Sequence, residues 1–314
     1  MTGREAYRKL VWPDAPLFHQ PFWLDAVAGN EWDAVIIEEN NSLKAYYLFA
    51  QKKLITGRYI YMPELTQFLG PSYRLSHASQ RERLQEETVL LEQLCARLPE
   101  AGEFISRWQT GYFNWLPFHW KGYQQRVRYT YQLENIKDPE GLRPHFSEKI
   151  TREIRKAEKN FVVVEASGSE KLFDMIQLNF KNKNAKISVN PQLLKRVFEG
   201  CMKNECGKIW MAQDQDGKYA AAIFVAWDST TAYYIIGAKD DSFGNSGAMS
   251  FLFRNAFQFL KDNVKRFDFE GSMIKGVENY FRSFGSTQQM FFEITSSRSI
   301  LSKAKKTLRE FRNS

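Results

Sequence analysis

Two stretches of this chain follow one plan and stand about one domain length apart. Val35 to Ala50 places two apolar runs around the polar turn Glu39-Asn40-Asn41-Ser42, and Ile209 to Trp227 does the same around Asp214-Gln215-Asp216-Gly217. A hairpin cannot bury its apolar face alone, so a hairpin repeated at this distance predicts two domains, each with its own sheet and covering helices. The length of 314 residues fits that count, since single cores stop growing at roughly 250–300 residues. The boundary is expected between the strand ending at Leu133 and Asp138-Pro139, giving domains over 1–135 and 136–314. The fold class is α/β, of the α+β mixed-sheet kind.

In the first half, Phe22 to Val27 reads as a short helix after Gln20-Pro21, closed by Gly29-Asn30, with strands at Trp32–Glu38, Leu43–Ala50 and Tyr59–Met62. Gln80 to Leu98 is a helix whose predicted buried side holds Leu84, Val89, Leu90, Leu91, Leu94 and Leu98. From Glu103 to Tyr131 the chain is dense in aromatics, among them Trp108, Trp115, Phe118 and Trp120. Their irregular spacing predicts core residues; stacking on nucleobases is the alternative.

In the second half, Ser147 to Asn160 is an amphipathic helix with Ile150, Ile154 and Ala157 on one side. Strand Phe161–Glu165 follows, then helices Glu170–Lys181 and Pro191–Lys203, the second capped by Asn190. Thr231 to Ala238 extends the second hairpin to a three-stranded meander, and helix Met249–Leu260 comes after it. Val264 to Phe269 alternates as a strand does, Glu270-Gly271-Ser272 breaks the pattern, and Val277, Tyr280, Phe281 and Phe284 recur at helical spacing.

The formal charge of +8 suggests an anionic partner and permits nucleic acid without requiring it. Cys95, Cys201 and Cys206 are odd in number and fit neither a zinc ribbon nor a disulfide framework. His19, His77, His119 and His145 are scattered, so no metal site and no Ser-His-Asp arrangement is expected. The longest apolar run, Tyr219 to Trp227, is too short to span a bilayer, and a cytoplasmic protein is expected.

Three segments carry chemistry. Lys149, Arg152 and Arg155, with Lys156 and Lys159, form a basic helix face able to grip phosphates. Glu148, Glu153 and Glu158 stand where they can neutralise part of it, which leaves a solvated face as the simpler alternative. Gly244, Asn245, Ser246, Gly247 and Ala248 form a loop just before a helix, the position from which backbone amides bind a pyrophosphate. The segment Ser299 to Ser314 reads as a basic amphipathic helix that docks on its own domain or touches RNA or a membrane surface.

Several of these segments together resemble the FemAB-like aminoacyltransferases and the related BioF2-like acetyltransferase domains of the GNAT superfamily. Lys149 to Ala157 resembles the family's basic segment at the head of its second domain, and Phe267-Asp268-Phe269-Glu270-Gly271 its late Asp-Phe-x-Gly strand. Gly276 to Gly285 resembles the aromatic Phe-Lys and Phe-Gly segment that follows, with Phe281-Arg282 where the cell-wall enzymes carry Phe-Lys. Phe22-Trp23-Leu24 and Leu69-Gly70-Pro71-Ser72-Tyr73 resemble the opening helix and the Gly-Pro turn. No long charged helical hairpin is inserted.

The resemblance implies two tandem GNAT-like domains, with donor and acceptor meeting in a cleft made largely by the second. It implies transfer of an acyl or aminoacyl group, from acyl-CoA or aminoacyl-tRNA, to an amine on a cell-wall or surface-polysaccharide precursor, nucleotide-linked or lipid-linked. A CoA-dependent N-acetyltransferase for a small amine or amino sugar, and a non-catalytic binding module, are the competing classes. Acyl transfer needs an uncharged amine, a positioned carbonyl and a stabilised oxyanion. Glu270 is the candidate base, Tyr280 the candidate proton donor, and Arg282 the candidate positive charge for the carbonyl or phosphates. Lys149, Arg152 and Arg155 are the candidate substrate contacts.

Overall fold

The first hairpin forms as β1 (Trp32–Glu39) and β2 (Ser42–Leu54), paired antiparallel from Trp32 opposite Ala50 to Glu39 opposite Ser42. Asn40 and Asn41 turn it with φ of 51° and 60°, the left-handed pair that matches the twist of the flanking strands and that asparagine tolerates best after glycine. The computed structural model describes residues 2–55, 57–77, 79–182, 189–271 and 273–297. Ser272 and the basic segment Ser299 to Ser314 lie outside the described residues.

Two units emerge from the pattern of contacts. One comprises Met1–Arg128 with the segment beginning at Met290, and the other Tyr129–Gln289. The sequence predicts consecutive domains, 1–135 and 136–314. The chain instead leaves the first unit and comes back to it, because its last strand (Thr287–Ser297) pairs with the early strand Glu103–Arg107.

In the first unit, α1 (Gly3–Leu10) and α2 (Pro21–Ala28) precede the hairpin, and β3 (Gly57–Tyr61), β4 (Gly70–Tyr73), α3 (Gln80–Arg97), β5 (Glu103–Arg107) and α4 (Leu116–Trp120) follow it. Its strands lie in the order β1-β2-β3-β5, then the last strand of the chain, with β4 on β2. Tyr46 and Tyr47 of β2 are both fully buried but on opposite faces, as strand alternation requires. Tyr46 packs edge-on to Tyr7, while Tyr47 accepts a 3.1 Å hydrogen bond from the Trp108 indole and stacks on Phe118.

Trp108 and Phe118 are therefore core, but two expectations fail nearby. Leu84 and Val89 of α3 are 55% and 44% exposed, because α3 packs through Leu90, Leu91, Leu94 and Cys95 in its second half. Trp120 is 59% exposed, because the short α4 fills its inner side with Pro117 and Phe118.

In the second unit the strands lie in the order β6-β11-β10-β9-β8-β7. Here β6 spans Gln124–Leu133, β7 Val162–Glu165, β8 Gly207–Gln213, β9 Tyr219–Trp227, β10 Thr231–Lys239 and β11 Arg266–Asp268. The helices are α5 (Pro139–Leu142), α6 (Glu148–Ala157), α7 (Glu170–Asn182), α8 (Pro191–Lys203), α9 (Ala248–Leu260) and α10 (Lys275–Arg282). The second hairpin and its third strand form the antiparallel meander β8-β9-β10. Asn190 caps α8, its Oδ1 accepting from the Gln192 amide at 2.8 Å.

The core of this unit is a cage of phenylalanines. Phe253 and Phe257 of α9 meet Phe267 and Phe269 from the end of β11, and Phe281 and Phe284 close it from α10 and the turn after it. Edge-to-face pairs of this kind add about 0.5–1.5 kcal/mol each beyond the area they bury. The cage holds the middle of α9 and the last turn of α10, and the candidate site lies at the start of α9 and the end of α10.

Candidate active site

The site is built where β10 and β11 part. They pair in parallel over three positions only, from Thr231 opposite Arg266 to Tyr233 opposite Asp268, although β10 runs on to Lys239. The register of β10 on β9 shifts between Tyr234 and Ile236, which bends the strand at the same point. A short helical turn (Asp241–Phe243) then leads through Gly244 to α9.

Gly247 caps α9 with φ of 79°, and a Cβ there would stand 2.2 Å from the carbonyl oxygen of Glu153. Glycine is thus required twice, for its backbone angle and for the close approach of α6. No acidic residue of α9 itself stands in its first turn, although the Glu153 carboxylate of α6 reaches Ser250 there. The Lys156 ammonium lies beside the loop, hydrogen bonding to the Asn245 carbonyl at 2.8 Å.

Of the predicted basic contacts, Arg152 and Arg155 are exposed on α6, and Lys149 lies 3.8 Å from Glu153. Glu153 does more than neutralise that face. Its Oε2 accepts a 2.6 Å hydrogen bond from Ser250 Oγ on α9, and Ser250 Oγ lies 2.9 Å from the Tyr280 hydroxyl on α10. Burial pushes the Tyr280 phenol well above its ordinary pKa, so it keeps its proton across the physiological range.

Glu270 follows β11 with φ of 59°, and its amide donates to Asp268 Oδ1 at 2.7 Å. Asp268 is buried and also accepts from Gln132 Nε2 at 2.7 Å and from the Thr130 hydroxyl. A Cβ on Gly271 would stand 2.2 Å from the Tyr129 carbonyl oxygen, so the turn crosses tightly over β6. Arg282 is 62% exposed in its side chain and pairs with Glu278 at 3.0 Å. The Tyr131 phenol accepts a 2.7 Å hydrogen bond from Gln288 Nε2, and its pKa is raised chiefly by burial, with the Glu278 carboxylate adding to the rise.

The geometry thus joins Tyr280 to Glu153 and Ser250, and it gathers Arg282, Glu278 and Tyr131 separately. Sequence reasoning did not single out Ser250; it named Lys156 only as part of the basic face of α6 and Asp268 only within the late strand motif, with no role for either at this site. Asp268 left a signal, as a carboxylate between two phenylalanines in a strand. Among the described residues, no group of three His, Cys, Asp or Glu is placed to hold a metal ion, and no helix is long and apolar enough to cross a membrane.

Residues 144–282 match the acetyltransferase (GNAT) domain family. The chain carries a GNAT-type acyltransferase domain. Its strands β10 and β11, and the α9 N-terminus beside them, all lie within the matched residues. A comparison with curated proteins gives no match. Among solved structures the chain is similar to FemX, at 11% identity over 93% of this chain and 96% of that one, with a TM-score of 0.67. It is also similar to the C-terminal domain of a putative lysylphosphatidylglycerol synthetase from Agrobacterium fabrum, at 10% identity over 98% and 93% of the two chains and a TM-score of 0.53. L-PGS from Bacillus licheniformis gives 13% identity over 99% and 95%, with a TM-score of 0.51. The fold is FemAB-like.

Proposed function

We propose that this GNAT-type acyltransferase moves an acyl or aminoacyl group onto an amine of a cell-wall or surface-polysaccharide precursor. The observation that carries the reading is the parting of β10 from β11 directly before the glycine-capped start of α9. An opened strand edge offers backbone groups along the donor, and Gly244, Asn245, Ser246, Gly247 and Ala248 offer amides to its phosphates. Lys149, Arg152 and Arg155 extend the positive charge along α6 toward an anionic substrate.

In the proposed reaction the amine nitrogen attacks the donor carbonyl carbon. A C–N bond forms, and the C–S bond of a thioester or the C–O bond of an aminoacyl ester breaks. The amine gives up one proton, assigned to Glu270 or a water it orders, and the leaving sulfur or oxygen takes one, assigned to Tyr280. Arg282 and nearby amides are assigned to hold the donor carbonyl or its phosphates. An arginine keeps its charge where a lysine can lose it, so Arg282 acts as a fixed cation.

The donor is acyl-CoA, as in GNAT domains generally, or aminoacyl-tRNA, as in the cell-wall branch the chain resembles. The family match favours a second reading, a CoA-dependent N-acetyltransferase for a small amine or amino sugar. Melting curves with acetyl-CoA and salt-dependent binding of charged tRNA separate the two donors. A ligand that binds the native state raises its stability, and tRNA binding weakens steeply with salt. Acetyl-CoA stabilisation without tRNA binding supports the second reading. If neither donor binds, the chain is a binding module that keeps the fold.

A further inference from the structure

The end of α8 is closed by two crossed main-chain hydrogen bonds. The Cys206 amide donates to the Cys201 carbonyl at 2.9 Å, and inside that loop the Glu205 amide donates to the Met202 carbonyl at 3.2 Å. Glu205 has φ of 54°, the left-handed place at which glycine is usual. This is the Schellman ending of a helix. Its geometry sets the residue after the left-handed one against the side chain on the last turn whose carbonyl it binds, a contact that ordinarily joins two apolar groups. In this chain both residues are cysteines, Cys201 and Cys206.

Their thiols hydrogen bond to each other, and burial, with Cys206 adding to it, holds the Cys201 thiol in its protonated form. Cys201 is fully buried, whereas Cys206 is partly exposed. A buried, protonated thiol is slow toward an oxidant by itself, so Cys206 is the one that reacts first. Main chain fixes Cys206 on both sides, because its carbonyl accepts from the Trp227 amide of β9 at 2.8 Å while its amide serves α8. Gly207 comes next, and a Cβ there would stand 2.6 Å from Cys201 Cβ, so glycine leaves the Cys201 side chain its place. The crossed bonds keep the two α-carbons within the span that a disulfide bridges, and rotation of the side chains brings the sulfurs together. Cys95, the remaining cysteine, belongs to the first unit.

We infer that Cys201 and Cys206 form a reversible redox pair, whose disulfide locks the end of α8 to the start of β8. With hydrogen peroxide as oxidant, the Cys206 sulfur takes one peroxide oxygen as the O–O bond breaks, giving a sulfenic acid and one water. The Cys201 sulfur then attacks the Cys206 sulfur. The S–S bond forms, the S–O bond breaks, and the Cys201 proton leaves with the hydroxide as a second water. Each sulfur loses one electron, and the two peroxide oxygens gain them. A dithiol reductant reverses the change. The pair takes no part in the proposed acyl transfer and is independent of the donor reading.

The test treats the folded full chain with hydrogen peroxide and counts thiols after denaturation. The count is expected to fall from three to one, the intact mass to drop by two hydrogen atoms, and dithiothreitol to restore both. Trypsin cuts after Lys203, between the two cysteines, so the disulfide is read directly as a link between peptides 197–203 and 204–208. Closing so short a loop is expected to raise the melting temperature by about 2 °C or more. Cys201→Ser is expected to stop at the Cys206 sulfenic acid, trapped by dimedone, with no link. Should that variant not fold, Cys206→Ser, at the more exposed position, is expected to keep both remaining thiols under the same treatment. Three thiols left in the wild-type chain overturn the inference. So does a link that includes Cys95 or joins two chains, or a Cys206→Ser chain that loses its thiols as fast as wild type.

Discussion

Glu153 and Tyr280 are joined through a single hydroxyl, Ser250 Oγ, which lies 2.6 Å from the carboxylate and 2.9 Å from the phenol. The chain of three ties α6, α9 and α10 together behind the glycine loop, and it holds the Tyr280 ring against Phe253 and Phe284. Removing its middle member takes one hydrogen-bond partner from each of two half-buried polar groups. Ser250→Ala is therefore expected to cost about 1–3 kcal/mol, read as a lower urea midpoint with an unchanged slope. Tyr280→Phe removes only one end and is expected to cost about 0.5–1.5 kcal/mol. In a double-mutant cycle the two losses should not add; additive losses would mean that the hydroxyls act separately.

Gly247 supports both the fold and the proposed donor site. Gly247→Ala puts a methyl into the Glu153 carbonyl and forces an alanine to a φ of 79°. The strain should destabilise the chain by about 1–3 kcal/mol. It should also weaken donor binding, because relief requires α6 to move away from the start of α9. Thermal melts with and without donor report the two effects separately, and a stable variant with wild-type donor affinity would speak against the close approach.

Much of this arrangement is legible in the sequence. The hairpins, the meander and the Asn190 cap follow from local patterns, turn residues and a proline, each of which acts over a few residues. The exposure of Leu84 and Trp120 does not, because helical spacing marks an apolar side without telling how much of a helix meets the sheet. The return of the last strand beside β5 rests on contacts between residues nearly two hundred positions apart, such as Arg107 Nε to Glu293 Oε2 at 2.9 Å. Glu270, Tyr280 and Arg282 are near neighbours in the chain, yet Tyr280 turns inward to Ser250 while Arg282 stays outside with Glu278. Sequence order carries no signal for that choice, which is made by the packing of Phe281 and Phe284.

A pH dependence follows from His19 in the first unit. Its ring is fully buried, with Nδ1 3.0 Å from the Tyr46 hydroxyl, and burial lowers its pKa from 6.5 to about 3. Between those values the unfolded chain takes up a proton that the folded chain refuses. Stability is therefore full above about pH 6.5 and falls as the pH drops toward 3, by at most about 1.4 kcal/mol per pH unit. His19→Gln removes this contribution. Urea unfolding at pH 7 and pH 5 should show a smaller difference for the variant, and an equal difference would assign the acid sensitivity to other groups.

Phe257 stands in the centre of the phenylalanine cage, in contact with Phe267, Phe269 and Phe284. Phe257→Ala is expected to cost about 3–5 kcal/mol. Since Phe257 anchors α9, whose N-terminus follows the glycine loop, donor binding should weaken with stability. A variant that loses stability but binds donor as before would separate the cage from the site.

Arg282 offers the most direct test of the proposed chemistry, because its side chain is 62% exposed and its i,i+4 pair with Glu278 contributes little to stability. With a donor and acceptor established by screening acyl-CoA and aminoacyl-tRNA, the measurement is kcat/KM for wild type and Arg282→Ala at matched folded fraction. The proposed role predicts a loss of about a hundredfold or more, the scale of one oxyanion-stabilising group, with the melting temperature nearly unchanged. Transfer at the wild-type rate by the folded variant would contradict it.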